Sequence, residues 1–556
     1  MRLILTATPS TGYPPSMAGM AASAYALQRT VRKRSWRWGS VFIACLLVLV
    51  ASPGCSKIQP PADTLVVAQA AEPRSLDPQA TSAPDDFRIL FNLYEGLVAY
   101  RPGTLEPVPA LALSWKISNG GRDYRFRLKS GVRFHDGSPL NAEAVAFNFR
   151  RILDRSHPYY ETGPFPLASL FDRVETVEVV GVLTVQFHLK EPFAPFLSNL
   201  AHPSGLLVSP TAVQRWGKDY GQHPVGTGPY RFLDWERSRW VLLERNETYH
   251  RTPPRLKRLV FRSLPDTMAR VAELVAGGVD IAPELTSNAL AAFRGRPGFQ
   301  VLERTAPHLW YLMLNTREAP FDDRRMRLAV NLAVYKHALV QDVLQDTASL
   351  AAGPVPEAFG WAHNRRLRPY PYDPRRSRKL IEEVGYDGGG PLRLLVPVSG
   401  PGMLAPEAMA TAIQRDLAVV GVEVEIETLE WNAYREMINK GLVGRGNLAA
   451  MALMTNDPDT VPDQALRCGA VAEQGGLNAG YYCNADVDQL LDQARLTTNK
   501  RRRAALYRDL AEKVHSDAPW LELASVRRNL VARDRVRGLA LEPSFLLDLS
   551  EVWKQR

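Results

Sequence analysis

The sequence has 556 residues, of which 46% are hydrophobic and 23% are charged, and its formal net charge is +10. The length exceeds what one ordinary hydrophobic core can hold and predicts about three domains. The composition is close to that of folded soluble proteins, which excludes a disordered chain and a protein with many membrane spans.

The first 54 residues have the pattern of a signal peptide. Basic residues from Arg29 to Arg37 precede an apolar stretch at 41–50 and then several small residues, which is the pattern of export. An apolar stretch of about ten residues is too short to span a bilayer stably. The segment holds six Lys or Arg and no acid, so its removal lowers the net charge to +4. Most of the basic excess therefore serves targeting, and nucleic-acid binding is not expected.

The signal segment ends at Gly54, and the Gly54-Cys55 junction resembles a bacterial lipoprotein box. In such a box the cysteine becomes the lipidated first residue of the mature protein. Ser52 and Pro53 depart from the residues usual at those positions, so an uncleaved or differently cleaved anchor is the alternative. We expect lipidation at Cys55 and a lipid anchor on the cell envelope.

Two of the four cysteines are expected to form a disulfide. Cys45 lies in the signal segment and Cys55 would carry lipid, which leaves Cys468 and Cys483. An exported protein enters an oxidising compartment, where such a pair forms a bond worth roughly 3 kcal/mol. Metal binding by the pair is the alternative, but no CxxC motif or nearby histidine supports it.

The start of the mature chain predicts a strand and then a helix. Residues 64–69 are rich in β-formers, and two prolines break the pattern shortly afterwards. Between 86 and 100 the apolar residues recur every three or four positions, as on one helix face. We therefore predict a helix over 86–100, with Gly96 near its end.

The next region predicts an α+β module. Apolar residues alternate at Tyr124, Phe126 and Leu128, a Ser-Gly turn follows, and the alternation continues through 132–134, which predicts an antiparallel hairpin. An Asp-Gly turn and then Asn141, in the position of an N-cap, predict the start of a helix. Further along, residues 321–334 predict a helix and 422–427 a strand, and strands separated by helices indicate α/β lobes.

Several short motifs occur along the mature chain. They are Leu-Tyr-Glu-Gly-Leu at 93–97, Pro-Ala-Leu-Ala-Leu-Ser-Trp at 109–115, Gly-Val-Arg-Phe-His-Asp-Gly-Ser-Pro-Leu-Asn-Ala-Glu at 131–143, Gly-Thr-Gly-Pro-Tyr at 226–230, Asn-Thr at 315–316, Pro-Phe-Asp-Asp-Arg-Arg at 320–325, Tyr-Asp-Pro at 372–374 and Tyr-Cys-Asn-Ala-Asp-Val-Asp-Gln-Leu-Leu at 482–491. In this order they resemble the family 5 solute-binding proteins of ABC importers, and the resemblance covers nearly the whole mature chain.

The resemblance implies an α/β fold of the type II periplasmic binding protein class, with two lobes, a hinge and an inserted α+β domain that enlarges the first lobe. By analogy the discontinuous domain I comprises 62–109, 222–312 and 521–556, domain II comprises 110–221, and domain III comprises 313–520. Domains I and III would close on a solute like jaws.

Two motifs with a chemical appearance are expected to be structural. His135 and Asp136 are adjacent, but neighbouring strand residues point to opposite faces and Asp-Gly is a turn signal. The Gly-Thr-Gly-Pro sequence at 226 lacks the Lys-Ser/Thr of a phosphate loop, so we expect a turn between domains.

The resemblance implies that Asp457 receives the α-amino group of a bound peptide. A buried ammonium needs a close carboxylate with good geometry, which suits that role. The alternative is that Asp457 merely begins an Asp-Pro turn. Metal capture by Asp457, Asp459 and Asp463 is a weaker option, because the spacing lacks the glycine turn of a calcium loop.

The resemblance also implies two extended edges beside the solute. One comprises Leu453, Met454 and Thr455, and the other Ser82, Ala83 and Pro84. A peptide lying between such edges is held through its main chain, which allows many sequences to bind. Pro84 cannot donate an N–H and weakens its edge. Trp431 lies where the family places an aromatic residue against a ligand side chain, and a core position is the alternative.

Basic runs occur at 365–368, 375–379 and 500–503. The last begins a helix with an apolar stripe, so its charges are expected to point to water.

We predict a periplasmic, monomeric binding protein that delivers short peptides to an ABC permease and its ATPases, without a metal or cofactor. A non-peptide solute such as nickel, haem or a glycoside is the alternative, followed by an adhesin or chaperone role. No motif of an enzyme is present, so catalysis is not expected.

Overall fold

The computed structural model describes residues 61–555. The predicted signal peptide and Cys55 lie outside the described residues. Within the described residues, no helix combines the length and the apolar character that a membrane crossing requires.

The described chain forms strands over its whole length. They are β1 (Thr64–Gln69), β2 (Val98–Tyr100), β3 (Pro107–Pro109), β4 (Ala112–Ser118), β5 (Asp123–Leu128), β6 (Val174–Gly181), β7 (Thr184–Leu189), β8 (Tyr230–Glu236), β9 (Trp240–Arg245), β10 (Arg258–Ser263), β11 (Ile281–Pro283), β12 (Phe299–Thr305), β13 (His308–Leu314), β14 (Ala348–Leu350), β15 (Leu392–Pro397), β16 (Val424–Leu429), β17 (Leu448–Met454), β18 (Trp520–Arg533), β19 (Val536–Arg537) and β20 (Trp553–Lys554).

Helices alternate with these strands. They are α1 (Pro84–Leu93), α2 (Ala142–Leu153), α3 (Phe196–Ala201), α4 (Pro210–Trp216), α5 (Thr267–Ala276), α6 (Ser287–Ala291), α7 (Arg324–Ala333), α8 (Lys336–Ala338), α9 (Pro374–Val384), α10 (Pro406–Ala418), α11 (Trp431–Ile438), α12 (Thr460–Ala465), α13 (Ala485–Leu496) and α14 (Lys500–Asp517).

A 12-stranded mixed sheet has two halves joined by β18. The C-terminal part of β18 pairs with β11 and β12, and this half, with β1 and β8–β10, is called lobe 1. The N-terminal part of β18 pairs with β13 and β14, and this half, with β15–β17, is called lobe 2. Each half packs against its own hydrophobic core, so the sheet is continuous while the cores are separate.

The chain crosses between the lobes at two adjacent positions. The first crossing is at Ala306 and Pro307, between β12 and β13, and the second is within β18 near Val526. The Ala306 N–H donates to the Val526 carbonyl at 2.9 Å, and the Val526 N–H donates to His308 Nδ1 at 3.2 Å. These crossings lie a few residues from the predicted boundaries at 312/313 and 520/521. The first predicted boundary would divide β13, whereas the whole of β13 belongs to lobe 2.

A separate four-stranded sheet, in the order β4-β5-β7-β6, packs against α2 around a third core. The Asn141 side chain accepts a hydrogen bond from the Ala144 N–H at 2.9 Å, so the predicted N-cap is confirmed. The predicted hairpin through 132–134 is wrong, because β5 pairs with β4 and β7 on its two sides. Residues 132–134 instead fold back on 138–140 around the Asp-Gly turn.

The first predicted helix is shorter than expected. It ends at Leu93, whose carbonyl accepts a hydrogen bond from the Gly228 N–H, and residues 98–100 form β2 instead. The Gly205 backbone approaches this turn closely, so that a Cβ at Gly96 would lie 3.3 Å from the Gly205 carbonyl oxygen. Apolar spacing alone could not reveal this long-range contact.

Candidate functional site

A cavity of about 210 Å³ lies where the two lobes and the four-stranded sheet's domain meet. Its walls come from segments far apart in the sequence. The lining residues are Tyr100, Leu105, Leu167, Leu170, His202, Pro203, Pro307, Met454, Thr455, Asn456, Thr460, Gln464, Ser544, Phe545 and Leu546.

Lobe 2 contributes the end of β17 to this cavity. Strand β17 pairs with β13 along its whole length, but it pairs with β15 only at Leu448 and Ala449. Its remaining edge, which leads to Met454, has no strand partner among residues 61–555. The Thr455 N–H donates to the Pro307 carbonyl at 2.9 Å, which fixes the chain where it leaves the strand. The cavity therefore adjoins an open strand edge.

Aromatic side chains form the opposite wall. The Phe545 ring stacks on Phe87 with centroids 5.4 Å apart, and the His202 ring lies edge-on to Phe545 at 5.8 Å. The Tyr100 hydroxyl donates to the Ser198 carbonyl at 3.1 Å. These contacts hold the rings in place before any solute arrives.

The ionisable groups of this wall are neutral at pH 7. Burial lowers the pKa of His202 to about 4, so its imidazole carries no charge. His202 Nδ1 accepts the Ser204 N–H at 3.2 Å, which leaves the proton on Nε2. Burial raises the pKa of Tyr100, so its hydroxyl stays protonated.

Asp457 is fully buried and does not line the cavity. Arg503 binds both of its carboxylate oxygens, the Ser198 hydroxyl donates to Oδ2 at 2.7 Å, and the Asp459 N–H donates to Oδ1 at 3.0 Å. Burial opposes the charge of Arg503, but the adjacent Asp457 raises its pKa above the ordinary value. The amine-binding role of Asp457 stays a prediction, and this geometry does not favour it.

The two neighbouring acids also pair with arginines. Asp459 lies 3.1 Å from Arg495 Nε, and Asp463 lies 2.8 Å from both Arg495 Nη1 and Arg467 Nε. Burial raises the pKa of Asp459 to about 7 in spite of Arg495. With arginines on their oxygens, these carboxylates are not arranged as a set of metal ligands.

The other predicted contacts lie outside the cavity. Ser82 and Ala83 precede α1 and Pro84 is its first residue, so this segment is a helix start and not a strand edge. Trp431 begins α11, is half-buried and stacks on Tyr434 with centroids 6.0 Å apart. Of the predicted residues, Met454 and Thr455 line the cavity and Leu453 precedes them in β17.

Cys468 and Cys483 form a disulfide with their Cα atoms 4.4 Å apart, as the sequence predicts. The bond links the segment after α12 to the segment before α13. It therefore stabilises the part of lobe 2 that carries Asp459 and Asp463.

His135 and the glycine-rich turn form one structural unit. The His135 ring hydrogen-bonds to the Gly228 carbonyl at 3.0 Å and the Gly226 N–H at 3.3 Å. Burial lowers the pKa of His135 to about 4. Asp136 accepts hydrogen bonds from Ser138 and Ser209, so the structural interpretation of this motif is confirmed.

Sequence reasoning missed Arg503 and most of the cavity wall. The prediction that the charges at 500–503 point to water is wrong for Arg503, which is buried. A signal was present, because Arg503, Tyr507, Leu510 and Val514 recur at helical spacing on the buried face of α14. No local signal marks Tyr100, His202 or Phe545, which meet only in the folded chain.

Comparison with known proteins identifies the family. The model of the bacterial extracellular solute-binding proteins, family 5 (middle part), matches residues 106–472. The chain is 32% identical over 526 residues to the di/tripeptide-binding protein 2 of Pseudomonas aeruginosa, with 91% of this chain and 98% of the relative covered. It is 32% identical over 468 residues to the heme-binding protein A of Haemophilus influenzae, with 81% and 85% covered.

A solved structure has the same architecture. The structure of HbpA2 from Haemophilus parasuis superposes with a TM-score of 0.83 at 27% identity, covering 89% of this chain and all of that one. The predicted fold class, a type II periplasmic binding protein with two lobes, is thereby confirmed. The chain belongs to family 5 of the bacterial extracellular solute-binding proteins, the binding components of ABC importers.

Proposed function

We propose that this protein captures short peptides in the cavity between its lobes and delivers them to the permease of an ABC importer. The open edge of β17 beside the cavity carries the proposal. An extended peptide that pairs with this edge is recognised through its main chain, while its side chains occupy the cavity. Met454 would make the main-chain contacts, since the Thr455 N–H is already bound to the Pro307 carbonyl.

The size of the cavity favours a small solute. Pockets for drug-sized ligands measure about 300–1,000 Å³, and this cavity measures about 210 Å³. A dipeptide is compatible with that space, whereas a haem would require the walls to separate. The di/tripeptide-binding relative supports the same size class, and the heme-binding relative makes haem the comparison to test.

Thermal unfolding of the purified mature protein tests this proposal. Di- and tripeptide pools, supplied both free and terminally blocked, should raise the Tm, because a ligand that binds only the native state stabilises it. Haem and single amino acids serve as comparisons. A rise with haem and none with either peptide pool would reject the peptide assignment.

A cavity-filling variant connects the effect to this site. In Leu170→Trp the larger side chain should remove the Tm rise, whereas Leu113→Trp, at a half-exposed position on β4, should keep it. If Leu170→Trp retained the full rise with unchanged affinity, the peptides would bind elsewhere.

The hinge and the three-domain division belong to the same proposal. Closure of lobe 2 on lobe 1 would rotate the chain at Pro307 and Val526, and a solute drives closure only by binding the closed form more tightly. Small-angle scattering should report a smaller radius of gyration with peptide than without it.

We also propose that the chain is a periplasmic monomer anchored through a lipid on Cys55. The small-residue segment before Cys55 supports cleavage there. Cys55→Ser should move the protein from the membrane fraction to the soluble periplasmic fraction. Retention of the variant in the membrane fraction would indicate an uncleaved anchor, and light scattering of the soluble form would report its mass.

A further inference from the structure

The polar groups that line the cavity are uncharged. Thr460, Gln464 and Ser544 supply neutral hydroxyl and amide groups, and the described lining residues include no Asp, Glu, Lys or Arg. The Thr455 hydroxyl and the Asn456 amide are already bound to Asp457 and Asn199. Such groups can satisfy amide N–H and carbonyl groups of a ligand, but they do not balance a full charge.

The nearest buried carboxylate is not available to balance a ligand charge. Arg503, Ser198 and the Asp459 N–H already bind both oxygens of Asp457. To bind an ammonium group, Asp457 would have to leave Arg503 as an uncompensated buried cation, which is strongly unfavourable.

The cavity wall instead supplies a neutral hydrogen-bond donor. Because His202 Nδ1 accepts the Ser204 N–H, its Nε2 carries the remaining proton, and His202 lines the cavity. An N–H of this kind suits an amide carbonyl of the solute.

From this chemistry we propose that the solute enclosed in the cavity is a short peptide without ionised termini, such as an N-acylated peptide amide or a cyclic dipeptide. The inference rests on the proposed peptide-binding function and specifies its substrate class. An ionised amine or carboxylate carried into this site would lose its hydration without gaining a countercharge.

Isothermal titration calorimetry with four ligands that share the same two side chains tests the inference. The ligands are Leu-Ala, Leu-Ala amide, N-acetyl-Leu-Ala amide and cyclo(Leu-Ala), each titrated into the mature protein. We expect the two uncharged ligands to bind at least about tenfold more tightly than Leu-Ala. Tighter or equal binding of Leu-Ala would overturn the inference and leave the peptide function standing. Binding of none of the four, nor of the peptide pools, would reject the proposed function itself.

A charge introduced into the cavity should reverse the preference. Met454 lines the cavity and is 44% exposed, so a polar replacement is tolerated there. Met454→Asp should strengthen binding of Leu-Ala amide relative to N-acetyl-Leu-Ala amide by about tenfold, since a carboxylate in the cavity supplies the countercharge that the native lining lacks. Met454→Asn, whose side chain has the size of Asp but no charge, should leave the preference unchanged. An unchanged preference in Met454→Asp would contradict the inference.

Discussion

Asp457 and Arg503 form a buried two-point ion pair at the edge of the cavity, with the Oδ2 to Nη1 distance at 3.1 Å. Ser198, from helix α3, adds a hydrogen bond to the same carboxylate at 2.7 Å. The pair therefore joins the segment after β17 to α14 and to the domain that contains the four-stranded sheet. Its position makes it a structural anchor of the site.

Removing one member of this pair should be costly. Arg503→Met leaves Asp457 buried without a countercharge, and we expect the free energy of unfolding to fall by about 3–5 kcal/mol. Urea unfolding followed by circular dichroism measures the change. Arg501→Met, at an exposed position of the same helix turn, is the control and should alter stability by less than about 0.5 kcal/mol. Equal effects of the two variants would contradict the assignment.

Asp459 should make stability fall as pH rises from 5 to 7. Burial raises the pKa of Asp459 to about 7, above its value in the unfolded chain, so the folded state holds a proton that the unfolded state has lost. Asp459→Asn cannot titrate and serves as the reference. We expect the stability of the native protein relative to this variant to decrease over that range. An increase would mean that pairing with Arg495 outweighs burial.

Three buried histidines should lower the stability of the fold as the pH becomes acidic. Burial lowers the pKa of His135, His202 and His308 to about 4, below the value near 6.5 of an unfolded chain. The unfolded state therefore binds protons first, and stability is lost as pH falls from about 6.5 to 4.

His308→Asn isolates one of these contributions. An Asn oxygen can accept the Val526 N–H in place of Nδ1, while the side chain no longer titrates. The variant should lose less stability than the native protein between pH 6.5 and 4, as measured by chemical denaturation. The same acid sensitivity in both proteins would exclude His308 as a source.

Binding of Leu-Ala amide should strengthen as its amine loses its proton. The terminal amine of a peptide titrates near pH 8, whereas His202 stays neutral at any pH well above about 4. Calorimetry at pH 6.5 and pH 9 should show a higher affinity at pH 9, approaching that of N-acetyl-Leu-Ala amide, whose own affinity should not change. A higher affinity at pH 6.5 would indicate a negative group in the site.

Loss of the disulfide should lower the free energy of unfolding by roughly 3 kcal/mol, because the unfolded chain has more conformational freedom without the cross-link. The double variant Cys468→Ser and Cys483→Ser, compared with the oxidised protein by urea unfolding, measures this difference. A reduced native protein should match the variant. No difference between the variant and the oxidised protein would mean that the surrounding packing alone holds the segment.

The sequence predicted well those features that local chemistry controls. The N-cap at Asn141, the disulfide and the apolar stripe of α14 each depend on a few residues or on regular spacing, and the structure has all three. The family motifs also gave the fold class, because they extend over nearly the whole mature chain.

The site was less accessible from the sequence because its walls depend on long-range contacts. Tyr100, His202 and Phe545 meet Met454 only after both crossings between the lobes are formed. Arg503 was misassigned because a run of basic residues usually lies on the surface, and its buried partner Asp457 is distant in sequence. Local periodicity carries no information about such pairs.

Strand β18 lies near the C-terminus yet occupies a central position between β13 and β11. During synthesis, therefore, neither half of the large sheet can be completed until β18 has left the ribosome. Until then the edges of β11 and β13 that receive β18 stay unpaired, so both lobes depend on one strand to complete their backbone pairing.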